Sequence, residues 1–164
     1  MINWKRFLAA TLIAGSAFGV AHAQIAAPPV PPAPAKPPFA DPQDAIVARR
    51  AAFKAQGEIF NAMKKANDAG EDPKAFSADA RWLVDWAKQI PVMFPKGSDS
   101  GHETKALPAI WTDKETFDKD AAAYDEAVTK LAAFAEAGDK EGFVKQFGAT
   151  GGTCGACHRA FRAK

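Results

Sequence analysis

The residues best equipped for chemistry lie almost at the end of the chain: Cys154-Gly155-Ala156-Cys157-His158. These are the only two cysteines, three apart and followed at once by a histidine. Thiols at that spacing beside an imidazole form the attachment signature of a c-type haem. Each thiol can add across a porphyrin vinyl group to give a thioether, and His158 then becomes an axial ligand of the iron. The same pair also reads as a Cys-x-x-Cys redox centre, a disulfide, or half of a zinc site. Zinc would need further ligands, and only His102 remains outside the first 23 residues.

Thioethers and an axial imidazole need a firm wall, and the chain is patterned to supply it from helices. Nothing alternates with period two, β-branched residues are few, and alanine is abundant. The first helix is expected from Pro42 to Asn67, with Asp41 and Asp44 at its positive end. Ile46, Phe53 and Phe60 recur every seven residues, with Arg49, Gln56 and Met63 on a neighbouring stripe. A second, shorter helix is expected from an N-cap at Ser77, with Trp82, Leu83, Trp86 and Ile90 inward. Asp79, Arg81, Asp85 and Lys88 are expected on its outer side.

An irregular crossover from Val92 to Ile110 follows, long enough to read as a functional loop or disorder. A third helix is expected from a Thr112/Glu115 capping box to Gly138, with the seam Phe117, Ala121, Tyr124, Val128 and Leu131. Asp139 is the expected cap of the fourth, which carries Phe143, Phe147, Cys154, His158 and Phe161 near one stripe. Gly148, Gly151 and Gly152 are expected to weaken it and to admit the porphyrin close to the backbone. The fold class is all-α: an antiparallel four-helix bundle around a covalently attached haem.

Three segments are distinguished. Residues 1–23 read as a secretory signal peptide, with Lys5 and Arg6, an apolar stretch from Phe7 to Val20, and Ala21-His22-Ala23 for cleavage. Export outside the cytoplasm suits thioether attachment, disfavours a cytosolic thiol-redox role, and predicts a periplasmic protein with no membrane span after cleavage. Residues 24–43 form a proline-rich linker or arm, expected to be an extended tether. Residues 44–164 form the bundle domain. Removing Lys5 and Arg6 from the 21 basic residues leaves 19 against 19 acidic ones. Nothing in that balance recommends nucleic acid as a partner.

The haem motif in the last helix resembles the class II cytochromes c, and among them the cytochromes c′. Asp44-Ala45-Ile46-Val47-Ala48-Arg49 resembles that family's opening helix, and Phe94-Pro95-Lys96-Gly97-Ser98 with Thr104 to Trp111 resembles its crossover. Phe117 and the closing Cys154 to Arg162 continue the likeness, which covers about residues 42–164. The proline-rich arm departs from it. The resemblance implies an arginine, here Arg49, near a haem propionate. Arg50 and Thr104, with Glu103, are further candidates for polar contacts to the haem. It also implies that the residue four after that arginine, here Phe53, faces the iron on its distal side.

Phe53 has no lone pair to donate, and Met63 lies about 15 Å further along the same helix. The expectation is a five-coordinate, high-spin iron that binds nitric oxide or carbon monoxide and passes single electrons to an unidentified redox partner. The alternative is a low-spin electron carrier with Met93 or His102 of the crossover as sixth ligand. In the family, nitric oxide can reach the proximal face, where the resemblance places Arg162; a cation at a helix end is an equally good account of that residue. Homodimers on the first two helices are also implied. No catalytic residues are assigned, so the expectation is a binding and redox protein and not an enzyme.

Overall fold

Pro42 opens the first helix because its ring presets the helical φ and its missing N–H is not needed there. In the computed structural model, which describes residues 27, 29–33, 35 and 37–164, helix α1 spans Pro42–Asp68, and the Asp41 carboxylate accepts from the Gln43 N–H. The expected signal peptide lies outside the described residues. Ile46, Ile59 and Met63 of α1 are buried, and Phe53 and Phe60 are half-buried beside them. The heptad stripe therefore faces inward as its spacing predicts.

The second helix starts differently from expectation. A 3₁₀ turn, Pro73–Phe76, capped by Asp72, runs directly into α2 at Ser77–Ala87. Ser77 is thus the first helical residue rather than the cap, and its hydroxyl donates back to the Lys74 carbonyl. Trp82, Leu83, Trp86 and Ile90 are buried as expected. Asp79 is not on the outer side: it is 1% exposed, and neither carboxylate oxygen has a hydrogen-bond partner. It shares the inward stripe with Trp82 and Trp86, three and seven residues on.

After a 3₁₀ turn at Ile90–Val92 the crossover leads to a one-turn helix α3, Ala109–Thr112, and then to α4, Lys114–Ala137. The capping box expected at Thr112 and Glu115 is displaced by one residue. Asp113 breaks the helix and caps α4 by accepting from the Thr116 N–H. Thr112 is the last residue of α3, with its hydroxyl donating back to the Pro108 carbonyl, and aspartate ranks above threonine as an N-cap. The seam Phe117, Ala121, Tyr124, Val128 and Leu131 is wholly buried.

Gly138, at φ 71°, closes α4, and Asp139 caps α5, Lys140–Phe161, by accepting from the Gly142 N–H. A Cβ on Gly142 would collide with the Phe134 ring, so this glycine sets how closely the α4–α5 hairpin folds. Helix α5 runs unbroken through Gly148, Gly151 and Gly152. The expected weakening is therefore not found, and the three glycines are exposed and lie outside the lining of the cavity that Cys154 and Cys157 border.

Helices α1, α2, α4 and α5 make the bundle. Helix α4 lies closely along both α5 and α2, whereas α1 comes close to α2 and the 3₁₀ turn before it and meets α4 and α5 only at isolated points. One such point is the Phe60–Phe147 pair, 5.4 Å between ring centroids. The described part of the arm carries no helix or strand, yet it does not run free. Pro31, Pro32, Ala33 and Ala35 lie along α1, and the Trp82 indole N–H donates to the Pro32 carbonyl at 3.1 Å. No helix among the described residues is long and apolar enough to cross a membrane.

Candidate functional site

The separation of α1 from the α4–α5 hairpin leaves a cavity of about 470 Å³. Helix α5 brings Cys154, Cys157 and His158 to one wall because residues three and four apart share a helix face. Helix α4 contributes Phe117 and Tyr124, and α1 contributes Arg49, Arg50 and Phe53. The crossover closes the rim with Glu103, Thr104 and Lys105, and Arg162 completes it. All eight residues singled out from the sequence therefore line one cavity. Met93 and His102 do not line it: Met93 is fully buried in the core, and His102 is exposed at φ 39°.

Phe53 is held from behind. Its ring meets Trp86 edge-on at 5.0 Å, and the Trp86 indole N–H donates to Gln56 Oε1 at 3.0 Å. Such an aromatic pair contributes on the order of 1 kcal/mol beyond area burial. A second aromatic series, Phe94–Phe117 at 5.0 Å and Phe117–Phe161 at 5.3 Å, stiffens the rim end.

Arg49 is 2% exposed and almost saturated by neutral acceptors. Its Nη1 donates to the Met93 carbonyl and Ser98 Oγ, and its Nη2 to the Ser98 carbonyl and Thr104 Oγ1. The guanidinium also lies 4.4 Å from the Phe94 ring centroid. Burial lowers its pKa to about 10, which leaves it charged at neutral pH. Arg50 is more open, donating to the His102 carbonyl at 2.6 Å and to Glu103 at 3.2 Å. Thr104 accepts from Arg49 and from the Ala106 N–H, so its own hydroxyl proton is free to point elsewhere.

The rim is tied down by contacts with no signature in any one segment. Ala106 and Arg162 form an antiparallel bridge, flanked by Leu107 N–H to the Phe161 carbonyl and Ala163 N–H to the Lys105 carbonyl. Arg162 accordingly stands just past the end of α5 in extended conformation, with its side chain at the cavity. Gln43 holds the crossover from α1 by donating to the Gly97 and Ser100 carbonyls. The segment expected to be a functional loop or disordered is an ordered strap.

Both cysteines are free thiols and half-buried. Burial raises the Cys154 pKa. Burial, then the charges of Asp120 and Cys154, pushes Cys157 up to about 11. Reactive redox thiols need the opposite shift, so this environment does not suit a thiol–disulfide enzyme. No cluster of three or more His, Cys, Asp or Glu suited to a metal ion occurs among the described residues. Desolvation at the wall, and then the charge of Arg162, lower the pKa of His158 and favour the neutral imidazole that a metal requires.

The cavity fits a flat, apolar macrocycle with anionic substituents: carbon-rich walls, two thiols beside an imidazole, and cations at the rim. The Tyr124 hydroxyl adds a second sign, because it is buried at the wall with no partner among the described residues. Sequence reading placed Tyr124 in the α4 seam but not at the site, and it missed Asp120 and Thr153. The signal for Asp120 and Tyr124 lies in the spacing Phe117, Asp120, Ala121, Tyr124, one face of α4, and that for Thr153 in its place beside Cys154, four before Cys157.

A four-helix bundle with a haem-attachment wall in its last helix defines a class of cytochrome. The model of the family described as cytochrome C′ matches residues 44–162, and the chain belongs to the cytochrome c′ family. Cytochrome c′ of Rubrivivax gelatinosus is 36% identical over 129 residues, covering 77% of this chain and 99% of that relative. Cytochrome c′ of Rhodopseudomonas palustris is 35% identical, covering 74% of this chain and 83% of the relative. The crystal structure of the Rubrivivax gelatinosus protein superposes with a TM-score of 0.71 at 31% identity, covering 76% and 99% of the two chains. A nitric oxide complex of a cytochrome c prime variant from Alcaligenes xylosoxidans superposes with 0.70 at 30% identity, covering 77% and 98%. The cofactor of the family is covalently bound haem c.

Proposed function

We propose that the protein is a periplasmic monohaem cytochrome c′ whose five-coordinate iron binds nitric oxide or carbon monoxide and also passes single electrons. The observation that carries this reading is the meeting of Cys154, Cys157 and His158 with Phe53 in one cavity from which both alternative ligands, Met93 and His102, are absent. Solved relatives from Alcaligenes xylosoxidans hold nitric oxide or carbon monoxide, which supports the choice of gases.

When bound, the haem supplies an iron centre for a diatomic ligand and for one-electron change. In this reading Cys154 and Cys157 would hold the porphyrin through thioethers, and the neutral imidazole of His158 would ligate the iron. Phe53, braced by Trp86, keeps the distal side apolar and denies a bound ligand any hydrogen bond. Dioxygen is thereby disfavoured relative to the two less polar adducts. Arg50 and the Thr104 hydroxyl are the groups most available to the haem carboxylates, while Arg49 contributes its field and its one uncommitted Nε–H. Arg162 stands beside His158 and would meet a ligand approaching from the proximal side.

The test is a pair of absorption spectra of the mature protein, resting and after nitric oxide. High-spin bands that shift on nitric oxide addition are expected. Low-spin bands at rest would restore the loop-ligand carrier, and export-competent expression without haem would overturn the cytochrome reading itself.

A further inference from the structure

The proline-rich arm is set against a groove built to receive it. On one side lie Ala48, Ala51, Ala52 and Ala55, one small-residue face of α1; the floor is Trp82 of α2. A polyproline backbone exposes its carbonyls and carries few N–H groups, so a receptor for it needs a flat apolar surface and an N–H donor. Alanines supply the surface. The Trp82 indole supplies the donor, at 3.1 Å from the Pro32 carbonyl. Trp82 is 7% exposed in this arrangement, so its single polar atom has its partner in the arm.

The seat is loose. A gap of about 430 Å³ remains between the arm and α1, lined also by Lys54 and Glu58. Apolar contact with the alanine face and the Trp82 hydrogen bond hold the arm, while the unfilled gap keeps its affinity modest, so occupation is reversible.

We infer that the α1–α2 groove is a polyproline-binding site occupied in cis by the chain's own arm, and that the arm's release exposes this face. The six residues between Ala35 and the start of α1 at Pro42 keep the arm at high local concentration and favour the cis occupant over any free segment.

The test uses the haem-loaded full chain and a variant beginning at Asp41. That variant retains the whole bundle, and the Rubrivivax gelatinosus protein folds with 99% of its length matched by 76% of this chain. The probe is a synthetic peptide of residues 27–40, followed by calorimetry and by the Trp82 indole N–H resonance. The shortened protein should bind it and shift that resonance, and the full chain should bind at least about tenfold more weakly. Trp82→Phe in the shortened protein should weaken binding about fivefold, the effect of one hydrogen bond. Equal binding by full chain and variant would overturn occupation in cis. No binding by a shortened protein with native haem absorption would overturn the site. Self-association of that variant without peptide binding would show that a second copy is the occupant. Undiminished binding to Trp82→Phe, or to a peptide with Pro31 and Pro32 replaced by glycine, would overturn recognition of the polyproline backbone.

Discussion

Arg49 of α1 grips Ser98 of the crossover twice, with Nη1 2.7 Å from the serine Oγ and Nη2 2.6 Å from its carbonyl oxygen. Both residues are buried, and among the described residues no carboxylate shares the ion pair distance with this cation. Its charge is held instead by a fork of neutral acceptors and by the Phe94 face. Arg49→Ala should cost roughly 3 kcal/mol, since it strands several buried acceptors at once. Arg49→Lys should recover little of this, because an ammonium cannot reproduce the planar fork. Denaturant unfolding gives the stability. Amide exchange over residues 93–104 should show the strap loosening in both variants, and full protection would contradict this account.

Phe53 lines the cavity from α1, in the reading above on the distal side of the iron. Phe53→Met brings a thioether sulfur to that place. Conversion of the resting spectrum toward low spin is the expected result. An unchanged high-spin spectrum would mean that Phe53 does not face the iron.

Cys154 and Cys157 share the wall, one helical turn apart. Cys154→Ala and Cys157→Ala should each leave haem held by one thioether, and the double variant should release it to acidified organic solvent. The alkaline pyridine spectrum counts the surviving vinyl groups and distinguishes the three proteins. His158→Gly, by contrast, should keep the haem attached while altering its axial spectrum.

Asp79 sits in the first turn of α2 with both carboxylate oxygens buried and unpartnered, and burial raises its pKa. The folded state therefore binds the proton more tightly than the unfolded chain. Its contribution to stability is present at low pH and is lost as pH rises through the ordinary carboxylate value to the raised folded one. Asp79→Asn should raise the melting temperature at pH 7 and raise it less as the pH is lowered below that window. Thermal unfolding at several pH values checks this, and destabilisation at pH 7 would show that the charge is better compensated by the helix end than burial suggests.

Much of the site was legible because its parts are local. Cys154, Cys157 and His158 are within five residues, and the α4 seam follows from one helical period. The errors also have local causes. Ser77 and Thr112 are good caps by type, but Asp72 starts a turn five residues before Ser77, and Thr112 is taken up by the one-turn helix α3, which leaves the cap of α4 to Asp113. Asp79 reads as an outer residue by charge, while its spacing to Trp82 and Trp86 places it inside.

From the sequence alone came the attachment motif, the helical class, the boundaries set by Asp41, Gly138 and Asp139, and the resemblance that pointed to Phe53. These depend on residue type and on periods of three to seven residues. Tertiary structure decided which partners distant residues take. It engaged Arg49 with Ser98, drew Arg162 to Ala106, kept Met93 and His102 off the cavity wall, and laid Pro32 on Trp82. The physical reason is that a donor leaving water must find an acceptor and an apolar side chain such as Met93 must find a core, and which of either is near is settled only when the helices have packed.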